Sequence, residues 1–280
     1  MRPLFTLLVA LVPATSGCER GSAHASGHAA PQASASHGVG GEHHAPSAPA
    51  HPHEGDVAPA KLPVPFIGEP GSLEVAKGFL RTMVTDNESF VSGNPAGHFQ
   101  PFVATQKPRA TVIACADSRV QAHAFDKASE NDLFTIRNIG NQLRTTEGSV
   151  LYGVEHLATS VLLVLGHTGC GAVKAAMGPH ADLATPIRAE VDSIVVPPRK
   201  PGVSDLEAWA DAVVSNVHDQ VKAATAHFAG RVRDGRLIIV GAIYDFRNDL
   251  KHGYGRVTIV NVNGTTDAAS IAAFTKSVEK

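Results

Sequence analysis

Cys115, His167 and Cys170 offer two thiols and an imidazole; Cys115 follows directly on one apolar run, and His167 and Cys170 stand just past the end of another. Two thiolates and one imidazole suit a tetrahedral zinc ion, with a fourth position left for water or a carboxylate. Asp117 and Arg119 follow the first cysteine closely. A carboxylate there can orient a metal-bound water, or coordinate the metal and close the site. A guanidinium two residues on can grip that carboxylate through two parallel hydrogen bonds and keep it off the metal. Both states stay open at the level of sequence. The alternative for the two cysteines is plain buried thiols, but both stand beside polar residues rather than inside apolar faces.

The elements that must position these residues can be read next. Thr111-Val112-Ile113-Ala114 runs into Cys115, and Val161-Leu162-Leu163-Val164-Leu165 runs into Gly166-His167. Continuous apolar runs of this length read as strands buried in a parallel sheet. Ligands gather at the carboxyl ends of such strands. Further strands are expected from about Asp132 to Arg137, over Leu237–Tyr244 and over Arg256–Val262, the last as a hairpin partner of the one before. Helices are expected from Ser72 onward, with a second helical piece ending at Gly93, over Val150–Thr159, from Gly171 to Met177 and over Leu206–Phe228. Residues 178–204 read as a surface excursion rich in Pro and Gly. His156 reads as a satisfied buried histidine rather than a ligand. The expected fold is α/β: a mostly parallel sheet of about four strands plus an antiparallel edge strand, flanked by helices.

Cys115-Ala116-Asp117-Ser118-Arg119 followed by His167-Thr168-Gly169-Cys170, each closing a strand, resembles the β-class carbonic anhydrases. The stretches Asp132–Asn141, Gly153–Leu157 and Gly169–Val173 agree, and the resemblance spans about Ser72 to Val262. It implies reversible hydration of carbon dioxide to bicarbonate by a zinc-bound hydroxide, with one zinc per chain on Cys115, His167 and Cys170. Asp117 and Arg119 become the catalytic pair, with Asp117 as a fourth ligand in a closed state. Phe134, Ile139 and Tyr152 match the apolar lining of the carbon dioxide pocket, and the helix opening at Gly171 aims amides at the anionic species. Gln106 matches a residue that reaches into the neighbouring subunit's site in plant-type members. The resemblance also implies a homo-oligomer, dimer or tetramer, whose N-terminal helix packs on a partner. Some bacterial relatives use a Trp three residues before the first cysteine in a second, inhibitory bicarbonate site. That position is Val112 here, so a plant-type site without cooperative shut-off is expected. Other uses of the same residues are hydrolysis of carbon disulfide or carbonyl sulfide, or an inactive envelope zinc-binding protein.

The chain has 280 residues, 24 basic against 26 acidic, and this balance does not suggest nucleic-acid binding. Residues 1–18 read as an export signal: Arg2, then an apolar core from Leu4 to Val12 too short to span a bilayer. Small residues before Cys18 resemble a lipoprotein cleavage site, departing from its pattern at Thr15, and imply a lipid anchor on Cys18 in the periplasm or cell envelope. Residues 19–62 are rich in Ala, Gly, Ser, Pro and His and read as a disordered linker. Its seven histidines are read as solvated, with weak zinc or copper capture as the alternative. The catalytic domain is placed at 63–280.

Overall fold

The computed structural model describes residues 71–279. The expected signal, Cys18 and the linker lie outside them. In chain order the elements are α1 (Leu73–Gly93), α2 (Ala96–Phe99), β1 (Ala110–Cys115), β2 (Leu133–Asn138), α3 (Glu147–Leu151), β3 (Val161–His167), α4 (Gly171–Ala176), α5 (Thr185–Val191), α6 (Asp205–His227), α7 (Ala229–Arg233), β4 (Ile238–Asp245), β5 (Arg256–Val262) and α8 (Ala268–Val278). The five strands form one sheet in the order β2-β1-β3-β4-β5. The first four are parallel and β5 is antiparallel to β4, as the apolar runs predict.

The sheet is buried on two sides because its strands are apolar at successive positions. Ile113 and Cys115 of β1 join the larger core with Leu162 and Val164 of β3 and Val213, Val217 and Val221 of α6. Val112, Ala114 and Leu165 point the other way, into a smaller cluster with Val120 and Ala242. This is the two-residue alternation of a strand. Helix α6 starts at a reciprocal cap, in which Ser204 Oγ accepts from the Glu207 amide and the Glu207 carboxylate accepts from the Ser204 amide.

Helix α6 comes so close to β3 that a Cβ built on Gly166 would stand 2.5 Å from Val217 Cγ2 and 3.1 Å from Ile243 Cδ1. Both neighbours are buried and branched, so neither can yield cheaply. Gly166→Ala is expected to cost about 1–3 kcal/mol by overpacking. In a domain of this size that lowers the melting temperature by about 3–10 °C, measurable by calorimetry. An unchanged melting temperature would mean that the helix slides off the sheet without cost.

Three local expectations need correction. The two N-terminal helical pieces are one 21-residue helix, α1, capped by Ser72 Oγ. The polar run from Thr85 to Ser89 does not break it, because those positions are exposed and Ser89 and Ser92 return their hydroxyls to the carbonyls of Thr85 and Glu88. The helix expected over Val150–Thr159 begins earlier, at Glu147, and widens into a π-type turn over Tyr152–His156 before the backbone turns left-handed at Ala158, φ 54°. That end leaves His156 exposed, its ring 4.6 Å from that of Tyr152, so it is not a buried histidine. The excursion 178–204 contains α5 and buries Val191 and Ile194, and is therefore part of the core's cover. Among the described residues no helix is long and apolar enough to cross a membrane.

Candidate active site and metal centre

Strands β1 and β3 are neighbours in register, with Ala114 opposite Leu165, so their carboxyl ends stop side by side. Cys115 is the last residue of β1 and His167 the last of β3. Gly169, at φ 69°, turns the chain so that Cys170 comes back beside them at the start of α4. The three ligand atoms lie within 4.8 Å of one another and all three residues are buried. The two sulfurs are 4.0 Å apart. Two Zn–S bonds of about 2.3 Å in a tetrahedral site separate their sulfurs by nearly that distance.

The imidazole is set for a metal. His167 Nδ1 lies 3.0 Å from the Thr168 carbonyl oxygen, which can only accept, so Nδ1 carries the proton. Nε2 then presents a lone pair, and it is a buried nitrogen with no hydrogen-bond partner. A buried polar atom without a partner is costly unless an ion satisfies it. The thiols agree. The two sulfurs share a hydrogen bond that pulls the Cys115 thiol down to about 4, against burial, with the Gly140 and Asp117 amides adding to the effect. Cys170 is pushed up, by that same hydrogen bond first and by burial second. Two sulfurs sharing one proton are a donor set that a dication can take over from the proton. The residues present therefore fit zinc.

Asp117 does not close the site. Its Oδ1 accepts from Arg119 Nε at 2.8 Å and its Oδ2 from Arg119 Nη2 at 2.6 Å. The Arg119 amide adds a bond to Oδ1 at 3.0 Å. These bonds from Arg119, over the opposing effect of burial, hold the carboxyl at about 2. Asp117 Oδ2 nevertheless remains 3.8 Å from His167 Nε2. The open arrangement is thus the one present. Arg119 Nη2 also donates to the Gly169 carbonyl at 3.3 Å, which ties the pair to the turn that places Cys170.

The remaining expected residues sit as follows. Phe134 on β2 and Tyr152 stand with rings 5.7 Å apart. Ile139 follows Asn138, the register partner of Cys115, and is 37% exposed. Gly171 opens α4, and a Cβ there would meet open space. Gln106 is exposed on the loop before β1.

Several residues had no role assigned from sequence. Arg137 donates from Nε to the Cys115 carbonyl at 3.1 Å and from Nη2 to the carbonyls of Asp117 and Val120, fastening the loop that carries the pair. Gln142 and Asn216 both donate to the Gly140 carbonyl, at 2.5 and 2.9 Å, and so hold the turn whose amide faces Cys115. Trp209 Nε1 donates to the Cys170 carbonyl at 3.0 Å. Only Arg137 carried a signal, as part of the quoted stretch 132–141.

A family model described as carbonic anhydrase matches residues 110–251, which hold every ligand and the Asp–Arg pair. Carbonic anhydrase 2 of Mycobacterium tuberculosis is 32% identical over 171 residues, 56% of this chain and 83% of that protein. Among solved structures, the β-carbonic anhydrase CcaA superposes with a TM-score of 0.59 at 22% identity, over 67% of this chain and 88% of that one. A β-carbonic anhydrase of Sordaria macrospora, described as tetrameric, gives 0.52 at 20% identity, over 66% and 98%. With sequence, fold and the zinc-fitting donor set in agreement, the chain belongs to the carbonic anhydrase family, in its β class.

Proposed function

We propose that this zinc-dependent carbonate dehydratase works with the open, plant-type Asp–Arg pair and acts outside the cytoplasm. The catalytic part of the reading rests on one observation above all: an unpartnered buried imidazole nitrogen faces two thiols while the adjacent carboxylate is turned onto an arginine. Zinc on Cys115, His167 and Cys170 would lower the pKa of water toward neutrality and so supply a nucleophile at ordinary pH. The rest falls to the chain's own residues. Asp117 keeps a lone pair free on Oδ2 beyond the three hydrogen bonds it accepts from Arg119 and is placed to accept a hydrogen bond from the incoming water, which fixes that water's orientation. Arg119 keeps Asp117 ionised and off the ligand atoms. Phe134, Ile139 and Tyr152 offer an apolar surface to an apolar gas. Arg137 and Trp209 hold the two ligand-bearing turns still.

The test is stopped-flow hydration of carbon dioxide by the purified chain with metal analysis alongside. One zinc per chain and a single-step pH–rate curve between about pH 6 and 9 are expected, because one ionisation then controls the nucleophile. Hydration no faster than buffer with zinc fully loaded would sink the reading. Sigmoidal inhibition by bicarbonate would remove its plant-type part, which Val112 supports.

The assembly is read as at least a dimer. None of the 21 residues of α1 is buried, although Leu73, Leu80, Val84 and Val91 recur on one stripe with Phe79, Met83 and Phe90 beside it. An apolar stripe of that length needs a partner surface. Gln106, exposed before β1, then reaches the partner's site. Light scattering should give at least twice the chain mass, and Leu80→Asp with Val84→Asp should shift it toward the monomer. A fully active wild-type monomer would contradict the assembly. Export and a lipid anchor on Cys18 rest on the N-terminal pattern alone, and labelling with a radioactive fatty acid, lost in Cys18→Ser, tests them.

A further inference from the structure

Strand β4 runs beside β3 with Tyr244 opposite His167, and it ends at Asp245. Asp245 is fully buried, and its carboxylate accepts the amides of Asp249 at 2.9 Å and Leu250 at 2.7 Å. The loop leaving the sheet is therefore pinned at its first turn, and the residue emerging from that pin is Phe246. Its ring lies 5.8 Å from the His167 ring at 23° and 5.7 Å from the Tyr244 ring at 61°. The Arg119 guanidinium carbon stands 4.6 Å from the centroid of the same ring.

One ring thus packs against a metal ligand and against the arginine of the open pair. Arg119 needs such a support. Its side chain is 52% exposed, and its other contacts, Asp117 and the Gly169 carbonyl, leave the guanidinium face uncovered. An exposed ion pair alone is worth little and is lost readily to water. An aromatic face attracts the cation and excludes water from it. We infer that Phe246 is a positioning residue for the reaction: its ring holds Arg119 over Asp117 and ties the open pair to the orientation of His167. Without the ring, Arg119 swings into solvent. Asp117, 3.8 Å from His167 Nε2, is then released toward the ligand atoms. The inference rests on the role proposed above for the pair.

The test uses the full zinc-loaded chain carrying Phe246→Leu, Phe246→Met or Phe246→Tyr, in the wild-type and Arg119→Ala backgrounds. Leu and Met keep an apolar side chain but lose the aromatic face, so zinc content and melting should hold. They should lower kcat/KM by about 3- to 20-fold, the range expected for a partly desolvated cation–π contact. Phe246→Tyr keeps the face and should restore the rate to within about twofold. In the Arg119→Ala background Phe246→Leu should change the rate by less than about twofold, because the contact through which it acts is gone. A readout independent of turnover is the visible spectrum of the cobalt-substituted protein, which should shift in Phe246→Leu toward that of Arg119→Ala. Wild-type rates and spectra in both Leu and Met, or equal losses in the two backgrounds, overturn the inference while an impaired Arg119→Ala leaves the pair's role standing. A fully active Arg119→Ala overturns the pair's role and this inference with it.

Discussion

Cys170→Ala is expected to leave the chain without zinc and without activity. After dialysis against a chelator, zinc should fall from one per chain to below about a tenth, since a site with three protein ligands loses one of its two charged donors. Hydration should fall by more than about 100-fold, because even the partners that merely orient a ligand are worth about 10- to 100-fold. Stability should fall too. A metal present at a thousandfold excess over its Kd stabilises the folded state by about 4 kcal/mol. The variant should therefore melt near the metal-free wild type, and added zinc should raise the wild type alone. The cause lies in the geometry. Cys115 and His167 close neighbouring strands, but Cys170 is brought in by the left-handed turn at Gly169 and by the Trp209 indole on its carbonyl. Full zinc content in Cys170→Ala would remove the proposed ligand set.

The core of this site was legible because its supports are the simplest elements in the chain. A buried parallel strand leaves no choice of polar residue inside it, so β1 and β3 are continuous apolar runs, and the first reactive side chain marks the strand end. The same logic found β4 and β5. Helix α6 was legible from the helical pattern of Val213, Val214, Val217 and Val221, of which Val213, Val217 and Val221 are buried and Val214 is half-buried. In sequence helix α1 reads as two pieces because its middle is polar. In the fold no part of α1 faces this chain's core, so nothing penalises a polar stretch there. His156 was misplaced for a related reason. A helical pattern says which residues share a face, but the widened turn and the left-handed Ala158 change which face that is.

Apart from Arg137, the supporting residues could not be read, and the reason is sequence distance. Arg119 meets Phe246, Cys170 meets Trp209, and Gly140 meets Asn216 only once the sheet has formed. Phe246 stands in a turn, where an aromatic residue has no periodicity to mark it. Asp245 before it is a buried carboxylate serving loop amides, a role that appears in sequence as an ordinary surface acid. The state of the Asp117–Arg119 pair belongs to the same class. Spacing permits a bidentate pair and equally permits a carboxylate on the metal. Placement of the Gly169 carbonyl and the Phe246 ring around the guanidinium distinguishes the two.

Arg119→Ala should keep its zinc and lose most of its activity. None of the three ligand atoms is bonded to the guanidinium, whose one tie to the ligand-bearing turn is the long bond to the Gly169 carbonyl, so one zinc per chain is expected after dialysis. Asp117 does depend on it: bonds at 2.6 and 2.8 Å hold both carboxylate oxygens turned toward Arg119. Removing them frees a carboxylate 3.8 Å from the ligand nitrogen, beside a site whose fourth position must stay open. A fall in kcat/KM of about 10- to 100-fold follows if the pair acts as an outer-shell partner does. Arg119→Lys should recover little of it, because an ammonium is a point charge and cannot supply two parallel hydrogen bonds to one carboxylate. Asp117→Asn in the Arg119→Ala background separates the two contributions: an amide competes poorly for the metal, so it should reopen the site without restoring the orienting acceptor. Turnover near wild type in Arg119→Ala would show that the pair only braces the loop, and would leave Arg137 as its principal support.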